Sequence, residues 1–250
     1  MMIIRLLGVC ALLLTLQTSA TSQELEGEYL YKVSTVRAAS GSLSGFLDWI
    51  AQLKDSDYFE DAGEIQPFVM RHSQGDQWDL MIITPMESWA NYYSGSAVRK
   101  RDKAAVTHAQ LLAPRDAMIA FEEDHFAYGP PLSAVHEAYN TNSFFHVEMF
   151  EAAAGLADEL LAQRRMENAY LKATEQTPNM IFRRAAGSDI DVFTIGFHES
   201  LEAFATPASV RDDDKEAAAK LAGFKDRADI SFYLRSLISG HHDTLAVKVD

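Results

Sequence analysis

The sequence predicts an α+β fold in which one βαββαβ unit is used twice and the two copies cover each other's exposed sheet faces. Three observations predict it. First, sliding residues 71–105 onto 183–217 without a gap gives 11 identities in 35 positions, Arg71/Arg183, Gly75/Gly187, Asp79/Asp191 and Ser88/Ser200 among them, where chance gives about two. Second, the same order of strand and helix patterns runs through both halves. Third, segments 80–83 and 192–195 are almost continuously apolar, so both faces of these strands must be buried.

In the first repeat, residues 29–38 (YLYKVSTVRA) read as a strand rich in β-favouring residues. Residues 43–53 place Leu43, Phe46, Leu47, Ile50 and Leu53 at the i, i+3, i+4 spacing of an amphipathic helix. Two strands over 67–72 and 78–85 flank a glycine-containing connection of hairpin length. Ser88 is a helix N-cap, a second helical stretch is expected over 103–126, and 132–139 is expected to be the closing strand. The second repeat gives a strand over 144–150, a helix over about 156–171, and strands over 180–184 and 190–197. Helices from Ser200 to about 238 and a final strand over 244–249 complete it. Beyond the gapless block the offset slips to 111 for Ile119/Ile230, Phe121/Phe232 and Gly129/Gly240, then returns to 112 for Ala134/Ala246 and Val135/Val247. Each half, 21–140 and 141–250, is therefore a split βαβ unit of the ferredoxin-like type.

The first twenty residues read as an export signal: Arg5, an apolar run over 6–16 too short to span a bilayer, and the small residues Thr18, Ser19 and Ala20. The expected location is periplasmic or secreted, with no membrane insertion after cleavage. Cys10, the single cysteine, leaves with the signal, which excludes disulfides, thiolate nucleophiles and cysteine-ligated metals. Loss of Arg5 takes the net charge from −14 to −15, which argues against nucleic acid as a partner.

The duplication, the element order and the apolar strands together resemble the dimeric α+β barrel superfamily in its fused, two-repeat form, over roughly residues 29–249. The resemblance extends to NIPSNAP-type and antibiotic-monooxygenase-like proteins. It implies an interior cavity between two sheets, and members that are cofactor-free monooxygenases or haem proteins. No diagnostic catalytic motif accompanies it here, so no single chemistry is implied.

Among candidate residues, the duplicated Arg71/Asp79 and Arg183/Asp191 read first as cross-strand ion pairs that stabilise each hairpin. The functional alternative turns one arginine, Arg71 or Arg183, into the cavity to hold an anionic group. His146 and Glu148 lie two apart on one strand, share a face, and have apolar or uncharged counterparts in the first repeat, so they are the candidate catalytic pair, with His146 as base and Glu148 orienting it. His198 could add a nitrogen, but two strand ligands with one distant histidine are a weak metal signal, well short of HExxH spacing, and no metal is expected. Trp78, in an aromatic set with Trp89, Tyr92 and Tyr93 against Ile190, Leu201, Phe204 and Ala205, could stack on a planar ligand. His125 reads as helical and His241-His242 as a turn before the last strand. The expected function is an exported barrel that binds a small apolar or aromatic ligand in its cavity without a cofactor. A cofactor-free monooxygenase with His146 as base, or a haem protein, is the alternative. Whether the chain is an enzyme stays open, and a homodimer is compatible with the reading.

Overall fold

The computed structural model describes residues 24–249, so the export signal expected over 1–20 lies outside the described residues. The first half runs β1 (Tyr29–Ala38), α1 (Leu43–Asp55), α2 (Tyr58–Ala62), β2 (Phe68–Gln74), β3 (Leu80–Glu87), α3 (Trp89–Tyr92), α4 (Gly95–Thr107), α5 (Ala109–Leu112) and β4 (Ile119–Gly129). After α6 (Leu132–Thr141), the second half runs β5 (Phe144–Ala152), α7 (Ala157–Ala173), β6 (Met180–Ala186), β7 (Val192–His198), α8 (Leu201–Ala205), α9 (Asp212–Leu221), α10 (Asp229–Leu237) and β8 (Ile238–Lys248). Both halves thus follow the βαββαβ order. Ser88 and Ser200 cap α3 and α8 in the same way, each hydroxyl accepting from the backbone N–H three residues on.

The eight strands form one closed antiparallel barrel in the order β1-β3-β2-β8-β5-β7-β6-β4. The halves therefore join edge to edge, at the β2–β8 and β4–β6 seams, and among the described residues no strand edge is left open. Inward residues of both halves fill the centre: Tyr31, Met70 and Met81 from one, Phe145, Phe182 and Phe193 from the other. The outward faces bury separate clusters. Val36, Val69 and Leu80 lie under Phe46, Trp49 and Ile50 of α1, while Phe150, Ile181 and Val192 lie under Leu160 of α7 and Leu234 and Leu237 of α10. Burial on both faces is the reason these strands are apolar throughout.

Two elements differ from the expectation. Residues 119–126 belong to β4, not a helix: Phe121, His125 and Tyr128 have helical spacing, but pairing with β1 from Tyr29↔Gly129 to Ala38↔Ile119 closes the sheet and sets the conformation. Residues 132–139 form α6, not the closing strand. Ala134, Val135, Ala138 and Tyr139 are its buried face, at the i, i+1, i+4, i+5 spacing of a helix, and Pro131 stands at its N-cap.

The register corrects the repeat alignment as well. Met70↔Met81 is reproduced by Phe182↔Phe193 at offset 112. In the first strands Val33, facing Ile83, corresponds to Val147, facing Ile195. In the last strands Ala38↔Ile119 corresponds to Ala152↔Ile238. Ile119 therefore matches Ile238 rather than Ile230, and Ala134 and Val135, in a helix, have no equivalents in β8.

The duplicated Arg/Asp pairs are not cross-strand ion pairs. Each aspartate instead receives a backbone N–H at the bulge ending the neighbouring strand: Ala38 N to Asp79 Oδ2 and Ala152 N to Asp191 Oδ2, both 2.8 Å. Arg71 sits opposite Leu80 and makes no ion pair among the described residues. Arg183 turns to Glu28 at 2.6 Å and lies over the Tyr128 ring, and Arg184 takes Asp191. The registry places each arginine one residue away from facing its aspartate, and one residue reverses the sheet face.

Candidate functional site

Side chains of both halves fill the barrel centre, and the hollows that gather the candidate residues lie outside its wall or at its mouth. One cleft, of about 590 Å³, opens on the outer face of the second-half sheet beside α7 and is lined by His146, Glu148, Glu167, Asn179, His198 and Phe204, among others. The strand period puts it there. Phe145, Val147 and Met149 point into the barrel, so His146 and Glu148 point out toward the helices. His198, at the end of β7, joins them, as both imidazoles pack on Phe204 with ring centroids 5.1 Å apart in each case.

The partner of His146 is Asp243, on β8: Nε2 and Oδ1 are 2.7 Å apart. Asp243, not Glu148, therefore orients the imidazole. Glu148 lies directly across the ladder from Asp243, accepts from Thr194 Oγ1 at 3.2 Å, and faces Arg164 at 3.6 Å and His241 Nε2 at 3.7 Å. Arg164 is 2% exposed, stacks over the Phe150 ring and pairs with Glu167. His241 stacks on the same Phe150 ring and belongs to β8, not to a turn, and its Nε2 is buried without a hydrogen bond.

Burial lowers the pKa of His146, but the hydrogen bond to Asp243 and the charges of Glu148, Asp243 and Glu167 outweigh it and leave the imidazole above its ordinary value. Burial likewise raises Glu148, and His241, Arg164 and His146 reverse that, holding its carboxyl below the usual range. Glu167 is raised by burial despite Arg164. His198 is lowered by burial and by the neighbouring His146. Single ligand atoms of His146, Glu148 and Asp243 lie within 4.8 Å of one another, close enough to share a cation.

The other candidates do not join this cleft. Trp78 is in the barrel core, donates from Nε1 to Asp76 Oδ2 at 3.1 Å, and edges a separate hollow of about 380 Å³ at the barrel mouth, beside Arg37, Glu123, Glu151 and His242. Trp89, Tyr92 and Tyr93 pack together elsewhere, and Phe204 goes to the cleft. Arg183 is at the surface and Arg71 lines neither hollow. His125 is a buried strand residue facing Phe193.

The first-half counterparts of His146 and Glu148 are Lys32 and Ser34, so the expectation of apolar or uncharged counterparts fails at Lys32. Lys32 pairs at 3.3 Å with Asp124, the equivalent of Asp243. Sequence reasoning missed Asp243, Arg164 and Glu167. The signal for Asp243 was the alternation of His241 and Asp243 on one strand face, hidden by treating 241–242 as a turn.

No protein-family model and no curated relative matches the sequence. Among solved structures, an anthrone oxidase-like protein aligns over 91% of this chain and 94% of its own, at 10% identity and a TM-score of 0.51. A protein of Fusobacterium nucleatum described as a candidate monooxygenase aligns over 90% and 94%, at 7% identity and 0.50. A mutant chlorite dismutase from Candidatus Nitrospira defluvii aligns over 89% and 92%, at 13% identity and 0.46. The first two likenesses, together with the closed eight-stranded barrel, show the fold: a dimeric α+β barrel in which both halves come from one chain.

Proposed function

On the frame of a fused dimeric α+β barrel, we propose that this chain is an exported small-molecule-binding protein whose ligand occupies the second-half cleft. The observation that carries the reading is the convergence of oriented polar groups on one concave, partly apolar surface: His146 held by Asp243 at 2.7 Å, with His198, Asn179 and the Phe204 ring around it. A few fixed donors and acceptors beside an aromatic wall suit a small ring-bearing ligand with a polar substituent. Export rests on the sequence of residues 1–20 alone.

A second reading is favoured by the His146–Asp243 pair itself. A carboxylate that fixes one imidazole nitrogen leaves the other as an oriented proton acceptor, and Nδ1 of His146 has no hydrogen bond among the described residues. This supports proton abstraction from a bound substrate, in keeping with the oxidase and monooxygenase descriptions of the two neighbours. A haem does not fit this cleft. Its lining holds Glu148, Glu167 and Glu175 and no lysine or arginine, so the two propionates of a haem would meet like charge with no cation beside them.

The test is mass spectrometry of small molecules that copurify with the protein, compared between the native chain, His146→Ala and Ala203→Trp, which would fill the cleft. A compound retained by the native chain and lost from both variants is the expected result. Equal retention by Ala203→Trp would remove the ligand from this cleft.

A further inference from the structure

We propose that His146, Asp243 and Glu148, with His241 behind them, bind a divalent first-row transition cation of the Zn²⁺ class at the floor of the second-half cleft. The inference rests on this cleft being the working site of the molecule, and it adds the ion that would receive the ligand.

Four observations carry it. His146 and Glu148 share the outward face of β5, and His241 and Asp243 share that of the adjoining β8, with Glu148 directly across from Asp243. The donors are thus set by two hydrogen-bonded strands, and one atom each from His146, Glu148 and Asp243 already lies within 4.8 Å of the others. Imidazole nitrogen with carboxylate oxygen is the donor mixture that borderline divalent ions prefer.

The cluster is rich in carboxylates. Glu148 and Glu167 share the single guanidinium of Arg164, whose side chain is 1% exposed, and Asp243 adds a third carboxylate beside His146. In this partly buried setting the excess negative charge calls for a protonated imidazole or a bound cation, and an ion held by the imidazole nitrogens supplies it without that proton.

The first half supplies an internal control. At the position of His146 it has Lys32, whose ammonium sits 3.3 Å from Asp124, the equivalent of Asp243. Ser34 replaces Glu148, and Glu122, held by both oxygens on Arg115, replaces His241. The same spot in the fold carries a permanent cation in one half and nitrogen and oxygen donors in the other. Finally, His241 Nε2 is buried, makes no hydrogen bond and lies 3.7 Å from Glu148 Oε1. A buried imidazole nitrogen whose nearest acceptor is a carboxylate beyond hydrogen-bond distance is the remaining donor such an ion would use. Thr194, donating to Glu148 Oε2, holds that carboxylate from behind. The ion would displace the proton shared by His146 and Asp243, so metal binding and proton abstraction by His146 are alternatives.

The experiment titrates the chelator-stripped, signal-free chain with Co²⁺, followed by visible absorption, and with Zn²⁺, followed by calorimetry. One ion per chain is expected. His146→Gln and Asp243→Asn should each weaken it by at least about tenfold, while Lys32→Ala leaves it unchanged. Circular dichroism of the metal-free variants checks that they fold, and His241→Gln replaces either one that does not. Absence of binding at millimolar Co²⁺ and Zn²⁺, or binding indifferent to these substitutions, overturns the site. A small molecule retained by stripped protein that takes up no ion would sink the metal and leave the ligand reading standing. Stoichiometric metal with no ligand in the cleft would do the reverse.

Discussion

Asp79 and Asp191 show how a duplicated residue can be structural without forming the pair its spacing suggests. Each carboxylate accepts the N–H of a bulge residue, Ala38 or Ala152, and each backbone N–H returns a bond to the same strand, at Val36 O or Phe150 O. Losing a hydrogen bond between a charged acceptor and a backbone donor costs about 1.5–3 kcal/mol. Asp79→Ala and Asp191→Ala should therefore each lower the unfolding free energy in urea by roughly that amount, whereas Arg71→Ala should fall within about 0.5 kcal/mol of the native value. Equal losses for Arg71 and Asp79 would revive the ion pair. His125 gives a prediction in pH. Buried at 2% exposure in the barrel, it is pushed by desolvation, against the Asp124 charge, down to a pKa of about 4. The unfolded chain, with a histidine near ~6.5, takes the proton first, so stability is whole above that pH and falls as pH drops from about 6.5 toward 4. The loss is on the order of 3 kcal/mol. In His125→Leu this pH dependence should shrink, as judged from urea midpoints at pH 7 and pH 4.5. A native midpoint that is flat across that interval would contradict the buried neutral imidazole.

At the scale of elements, the two hairpin glycines stand where the halves meet. Gly75, between β2 and β3, has φ +122°, and a Cβ there would come within 2.1 Å of Asp243 O on β8. Gly187, its repeat, has φ +74° and would meet Asp124 O on β4 at 3.0 Å. Both positions combine a left-handed backbone with close approach to the facing half. Alanine should be disfavoured at both, by roughly 1–3 kcal/mol from the backbone alone, and more at Gly75, where the added Cβ would stand 2.1 Å from the facing backbone against 3.0 Å at Gly187. Thermal melts of Gly75→Ala and Gly187→Ala test the order; a milder effect at Gly75 would contradict this account of the seam. These glycines were legible as a repeat, while their role was not, because a seam partner such as Asp243 is 168 positions away. The strands buried on both faces were legible from continuous apolar runs. β4 was not, since the stretch from Phe121 through Tyr128 carries Glu122, Glu123 and Asp124 on exposed or half-buried positions and mimics a solvated helix. Half of the site shared that fate. His146, Glu148 and His198 could be picked out along their strands, but Asp243 could be matched to His146 only after β8 was known to begin at Ile238.

For the molecule as a whole, the closed barrel makes each half the cover for the other's edges. The central cluster takes Tyr31, Met70 and Met81 from one half and Phe145, Phe182 and Phe193 from the other, and Phe182 and Phe193 stack with ring centroids 4.6 Å apart. Removing the second half would uncover these inward side chains and free the edges of β2 and β4, which now pair with β8 and β6. Exposed edges and apolar faces of that size drive association. Residues 24–142 expressed alone should therefore not persist as a folded monomer. They should aggregate, or pair with a second copy so that two first halves rebuild the eight strands. The pairing is demanding, because the first half would have to accept its own β2 and β4 where the native seams take β8 and β6, and Gly75 would meet Asp124 in place of Asp243. Ultracentrifugation of the soluble fraction, with urea melts at two protein concentrations, decides the matter. A monomer with a cooperative, concentration-independent melt would show that half a barrel can bury its own sheet, and the shared core would lose its place as the main source of stability.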